Sequence, residues 1–167
     1  PDRSLCVSHT IWRIASDTRD YEADDLSGKG AEITGGRWND KGTPVVYTSA
    51  NRALAALETI VHLNAGGLPL NRYLIEVTIP DMVWNAAELI DTISAPVGWD
   101  AEPASKTSSD FGTRWARSNS SLLLRVPSVL VPEESNVLIN PRHPDIVKVT
   151  ARKVRKWLYD ARIVRNM

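Results

Sequence analysis

The chain has 167 residues, enough for one domain with a sizeable core, and its 43% hydrophobic and 24% charged content is that of an ordinary globular protein. Lys plus Arg number 20 and Asp plus Glu number 20, so the net charge is zero, which argues against a dedicated nucleic-acid binder. The single Cys6 excludes an intramolecular disulfide, no Cys/His cluster has metal-ligand spacing, and no run approaches the ~18 apolar residues of a membrane span.

In chain order, Pro1-Asp2-Arg3-Ser4 has no charged stretch leading into an apolar one, so no secretory signal is expected and the cytoplasm is the expected compartment. Cys6 reads as a small apolar side chain near the terminus. Thr10 to Ala15 alternates apolar and polar residues, which predicts a half-buried strand. From Ser16 to Lys41 the chain is polar and Gly-rich, with Gly35-Gly36 directly ahead of Arg37-Trp38-Asn39. A loop of that length is expected either to bind something or to lack order. Val45 to Thr48 predicts a short strand opened by Pro44.

The clearest helix follows, over Ala53 to Leu63, with Ser49 or Asn51 as cap and Gly66-Gly67 as stop. Arg72 to Ile79 predicts a strand ended by Pro80, the stretch Asp81 to Ser109 is mixed, and a weaker helix is expected over about Ser109 to Arg117. The last third predicts strands at Leu122–Val126, Ser128–Val131, Asn136–Asn140 and Ile146–Val154. No repeat, low-complexity segment or linker divides the chain, and strands outnumber helices, so one α+β domain is expected.

One residue breaks the pattern of its element. Leu54, Leu57 and Val61 form an apolar stripe at i, i+3 and i+7, and Glu58 sits at i+4 on the same face. Burying an unpaired carboxylate is expensive. Glu58 therefore either reaches solvent or a structural Arg at the stripe's edge, or projects into a cleft that the stripe flanks. His62 lies one turn on, as a surface side chain or a neighbour of Glu58.

Arg37 follows two glycines, which permit unusual backbone angles or close approach of a ligand, and its planar fork suits phosphate. A glycine turn with an exposed Arg is the alternative. The segment is neither a Walker loop nor a dinucleotide fingerprint. Tyr47 is either a buried structural Tyr or a cleft residue, and Ser128 a strand-edge turn residue or a polar group of the same cleft. No Gly-x-Ser-x-Gly elbow surrounds Ser128, so it is not read as a hydrolase nucleophile.

Together, Gly-Gly-Arg37-Trp-Asn, Val-Val-Tyr47-Thr-Ser and Ala-Leu-Glu58-Thr-Ile-Val-His62 resemble the RES family, named for an Arg, a Glu and a Ser. Val126-Pro127-Ser128 through Asn140-Pro141-Arg-His143-Pro144 is similar to that family's C-terminal signature. The likeness covers about Ile11 to Trp157 and implies one RES-type domain over residues 1–167, with its core at about 11–158. It also implies a split, curved β-core with surrounding helices, similar to ADP-ribosyltransferase toxins.

The resemblance further implies a toxin that breaks the nicotinamide–ribose bond of NAD⁺ by hydrolysis or phosphorolysis, or that transfers ADP-ribose to a protein. NAD⁺ would be the substrate, with no separate cofactor and no metal. The partner implied is an antitoxin with an Xre-like helix-turn-helix domain, in a hetero-oligomer, with nucleic acid reached only through the antitoxin and no membrane involved. Arg37 would pair with phosphate, Tyr47 pack against nicotinamide or its ribose, and Glu58 stabilise an oxocarbenium-like transition state. Ser128, Asn140 and Arg13 are further NAD⁺ ligands on this reading. Hydrolysis or phosphorolysis is the first expectation and protein ADP-ribosylation the alternative. A third reading, from another class, is a binding module that uses the basic stretch Arg152-Lys153-Val154-Arg155-Lys156.

Overall fold

Alternation at the start of the chain produces β1 (Ser8–Ser16) in the computed structural model, which describes residues 7–63 and 68–163. Successive side chains of a strand point to opposite faces, and here both faces are covered. Ile11 and Ala15 join one apolar cluster with Ile75, Val77 and Ile79. Trp12 and Ile14 join a second with Ala55 and Leu74.

The remaining elements are α1 (Lys29–Thr34), β2 (Val46–Ser49), α2 (Arg52–Ile60), β3 (Arg72–Pro80), α3 (Asp81–Asn85), β4 (Glu88–Leu89), α4 (Lys106–Ser118), β5 (Leu123–Pro127), β6 (Ser135–Ile139) and β7 (Thr150–Lys156). The strands form one mixed sheet in the order β4-β5-β6-β2-β1-β3-β7, an α+β fold. Its centre is nearly cut through. β1 pairs with β3 along its whole length and β2 pairs with β6 from Val46 to Ser49, whereas β1 meets β2 only at Trp12 and Ser49. The sheet is therefore two ladders joined at one point, the split core that the resemblance implies.

Asn51 caps α2, accepting from the Leu54 amide at 2.8 Å, and the helix ends at Ile60. Gly66-Gly67, the expected stop, lie outside the described residues, as does Cys6. On α2 the buried residues are Leu54 and Ala55, while Leu57 and Val61 are exposed. The buried face is thus narrower than the stripe read from sequence, and Glu58 stands in line with Leu54 and Ala55 on it.

Four other expectations change. The Gly-rich stretch contains α1, a single short helix between Gly28 and Gly35. Ser128–Val131 is not a strand, because the Ser128 hydroxyl accepts from the amides of Leu130 (3.1 Å) and Val131 (3.2 Å) and so draws those donors into a turn. The run from Ile146 is divided, with a 3-10 turn over Pro144–Lys148 before β7 begins. The weaker helix is longer than expected, starting at Lys106, and Gly112 within it lies against the Arg37 loop. A Cβ on Gly112 would stand 1.9 Å from the Trp38 carbonyl oxygen, so only glycine permits that approach.

The basic stretch forms edge strand β7, and three of its four cations are engaged within the fold. Arg152 pairs with Glu76 at 2.8 Å, Lys153 with Asp17 at 2.8 Å and Glu22 at 2.9 Å, and Arg155 lies over the Trp157 ring. That pairing weakens the nucleic-acid reading. No helix among the described residues is long and apolar enough to cross a membrane.

Candidate active site

The gap between the two ladders opens into a cavity of about 1200 Å³, large enough for a dinucleotide-sized ligand. One ladder contributes Trp12 and Arg13, the other Tyr47, Ser49 and Asn136, and α2 contributes Glu58.

Glu58 owes its place to helix periodicity, being one turn beyond Leu54 on the face that packs against the sheet. Its Oε1 atom accepts from the Ser128 hydroxyl at 2.8 Å and from the Asn136 amide at 2.5 Å. Among the described residues its Oε2 atom has no hydrogen-bond partner. One carboxylate oxygen is anchored and the other is available to a ligand.

Ser128 is fully buried and is not part of the cavity wall. Its hydroxyl donates to Glu58 and accepts from two backbone amides, so it reaches a ligand only through Glu58. Ser128, expected to touch ribose or amide directly, stands behind the wall and contacts Glu58 in this structure.

Arg37 lies on the cavity wall with its side chain 19% exposed. Its Nη1 donates to the carbonyls of Trp99 (2.8 Å) and Ala101 (2.7 Å), which fixes the guanidinium plane. Nη2 donates to Glu102 at 3.2 Å, a carboxylate whose side chain is 83% exposed. Of the five guanidinium N–H groups, three are engaged in this way and two have no partner among the described residues.

Tyr47 lines the cavity, and its hydroxyl is fully engaged. It accepts from the Trp38 amide at 2.9 Å and donates to Asn39 Oδ1 at 2.7 Å. Burial pushes the phenol above its ordinary range, opposed by the Trp38 hydrogen bond and the Arg37 charge, so the group stays protonated and donating. This phenol organises the loop that carries Arg37. The glycine before Arg37 follows from the same contact, since a Cβ on Gly36 would fall 2.7 Å from the Tyr47 hydroxyl.

Arg13 also lines the cavity, donating from Nη1 to the Asp25 carbonyl at 3.2 Å. Burial lowers its affinity for the proton, and Asp25, Tyr21 and Asp24 oppose that shift. A guanidinium keeps its charge even so, and a half-buried cation whose other donors have no partner among the described residues attracts an anion. His62 is an exposed residue at the cavity rim.

Asn140 stands apart. It is buried outside the cavity wall, donating to the Ala116 carbonyl at 2.8 Å and to Asn119 at 2.7 Å, and accepting from the Arg142 amide. Its amide secures the end of α4 to the end of β6, so the structure does not bring it together with the other site residues.

Asn136 and Ser49 are the polar members that sequence reasoning missed. They face each other across the β2–β6 ladder, and long-range register leaves no local signal. Ser49 appeared only as a possible helix cap.

These residues, with the split sheet, place the chain in the RES-domain family: the family model matches residues 10–161, and the chain belongs to it. Over 160 residues it is 62% identical to a protein of Sphingobium sp. (strain YBL2) named Prs ADP-ribosylating toxin, covering 96% of this chain and 99% of that one. It is 42% identical over 133 residues to the Toxin Res of Yersinia enterocolitica, covering 80% and 84% of the two chains. The Toxin Res of Photorhabdus laumondii is 34% identical over 146 residues, covering 87% and 92%.

Proposed function

We propose that this RES-domain protein is a toxin that cleaves the nicotinamide–ribose bond of NAD⁺ and passes ADP-ribose to a protein acceptor. The observation that carries the first half is Glu58, a carboxylate with one oxygen anchored by Ser128 and Asn136 and the other unpartnered on the wall of a cavity that also holds Arg13 and Arg37. Such an oxygen suits a ribose hydroxyl and the positive charge that develops as the glycosidic bond breaks. The arginines suit the pyrophosphate. Nicotinamide departs as a neutral base, taking the bonding electrons of the broken C–N bond, so no strong general acid is required. The acceptor nucleophile bonds to the anomeric carbon and gives up its proton to Glu58.

The sequence alone favoured hydrolysis or phosphorolysis over transfer to a protein. The name of the Sphingobium relative, an ADP-ribosylating toxin at 62% identity, moves the balance to transfer. The same proposal includes an antitoxin partner with an Xre-like domain in a hetero-oligomer, action in the cytoplasm, and no cofactor beyond NAD⁺ as substrate.

Incubation with NAD⁺ labelled in its adenylate half, with and without phosphate and cell extract, tests both halves. Labelled protein together with released nicotinamide is the expected outcome. Free ADP-ribose alone means hydrolysis, and ADP-ribose-1″-phosphate means phosphorolysis. Full activity in Glu58→Gln would remove Glu58 from the chemistry.

A further inference from the structure

We infer that Asn136 is a positioning residue for Glu58, its amide polarised by Ser49 so that the carboxylate is held in the orientation that presents its free oxygen to the cavity. The inference rests on the reading of Glu58 as the carboxylate that acts on NAD⁺.

The chain of contacts runs across both strands. Ser49 and Asn136 are opposite each other in the β2–β6 register, which brings their side chains together on one face. The Ser49 hydroxyl donates to Asn136 Oδ1 at 2.7 Å, and Asn136 Nδ2 donates to Glu58 Oε1 at 2.5 Å. Ser49 therefore sets the polarity of the amide. Reversal would put the amide oxygen against the carboxylate oxygen at the same short distance, exchanging a charge-assisted hydrogen bond for a repulsion.

Asn136 is also held rigidly. β6 lies between β2 and β5, with Asn136 paired to Ser49 on one side and to Val126 on the other. Of the two donors to Glu58, Ser128 is buried behind the wall, whereas Asn136 is part of it. Reacting groups lose rate steeply when displaced by about 1 Å, of the order of 100-fold. A donor on a doubly paired strand is well placed to prevent such displacement.

The test compares the wild type with Asn136→Ala, Asn136→Asp and Ser49→Ala in nicotinamide release, in equilibrium binding of ADP-ribose, and in the carboxyl ¹³C signal of Glu58 in glutamate-labelled protein. Asn136→Ala is expected to lower kcat roughly 10- to 100-fold while KM and ADP-ribose affinity stay within about threefold. The Glu58 signal should move or broaden. Ser49→Ala should show the same pattern more weakly. Asn136→Asp keeps the shape but sets a second carboxylate against Glu58 in place of the donor, so a larger loss of kcat and a larger shift of the Glu58 signal are expected from it, and it supplies those readings if the alanine variant does not fold.

Unchanged kcat, an unchanged Glu58 signal, or a loss confined to KM and ADP-ribose affinity overturns the positioning role. Absence of NAD⁺ turnover in the wild type instead overturns the underlying reading of the site. In that event the Glu58 signal in the variants still reports whether Asn136 holds the carboxylate.

Discussion

The buried Ser128 hydroxyl stands 2.8 Å from Glu58 Oε1 and is at the same time the acceptor for the Leu130 and Val131 amides. One atom thus anchors the Glu58 carboxylate and closes the turn after β5. Its two tasks are separable by experiment. Ser128→Ala leaves two amides without their acceptor and removes a donor from Glu58, so stability should fall by about 1–3 kcal/mol. On the positioning argument kcat falls about tenfold with KM nearly unchanged. Urea denaturation and steady-state nicotinamide release measure the two effects, and a rise in KM alone would instead mark Ser128 as a direct substrate contact.

Glu102 sits on the guanidinium proposed to receive phosphate. It has no other hydrogen bond among the described residues, so a ligand anion has only one ion pair to displace. Glu102→Gln removes the competing charge, and the expected result is a several-fold lower KM for NAD⁺ with kcat unchanged. The gain should shrink as salt is raised, because the carboxylate is largely exposed and screened. A higher KM in the variant would mean that Glu102 organises Arg37 rather than competing for it.

Tyr47→Phe retains the ring on the cavity wall and deletes the hydroxyl that joins Trp38 to Asn39. The Trp38 amide and the Asn39 side-chain Oδ1 then lose a partner in a part-buried site. Thermal or chemical denaturation should report a cost of about 1–3 kcal/mol. ADP-ribose affinity should also fall, because the Arg37 loop loses its tie to β2. Normal stability with normal affinity would contradict this account of the loop.

Asp40, immediately after that loop, is held below the usual carboxylate range chiefly by its hydrogen bond to Lys106, with smaller help from Ser109, Lys106 and Arg117 charges and hydroxyls. A carboxylate whose pKa is lower in the folded state adds stability above its unfolded value of about 3.9. That contribution is lost as pH falls through the lowered folded value. The protein should therefore weaken in acid below about pH 4, and Asp40→Asn should flatten that part of the stability profile. An identical acid limb in the variant would show that Asp40 adds nothing there.

Local signals located much of this site. Glu58 was visible because a carboxylate on a helical apolar face is costly, and its neighbours Leu54 and Ala55 are indeed buried, although Leu57 and Val61 are not. Arg37 was marked by its glycines, and the structure supplies their reason in the Tyr47 hydroxyl. β1 follows from alternation, and β2 and β3 from apolar runs bounded by Pro44 and Pro80. The Ser49–Asn136 pair was hidden because it arises from register between strands far apart in the chain. Ser128–Val131 misled for a related reason: its composition suits a strand, and a single hydroxyl diverts its amides. Asn140 shares its signature with site residues yet serves the end of α4, a role that depends on tertiary packing.

The lone contact of Trp12 with Ser49 has a mechanical consequence. Each half-sheet is braced by its own ladder, while the seam between them has almost no backbone ties. On the proposed reading, a ligand held by Arg13 on one side and Arg37 on the other would be a cross-brace between the half-sheets. By linkage, a ligand at a hundred times its Kd would add about 2.7 kcal/mol to the folded state, and one that spanned the seam would tie together two half-sheets that share a single ladder pairing.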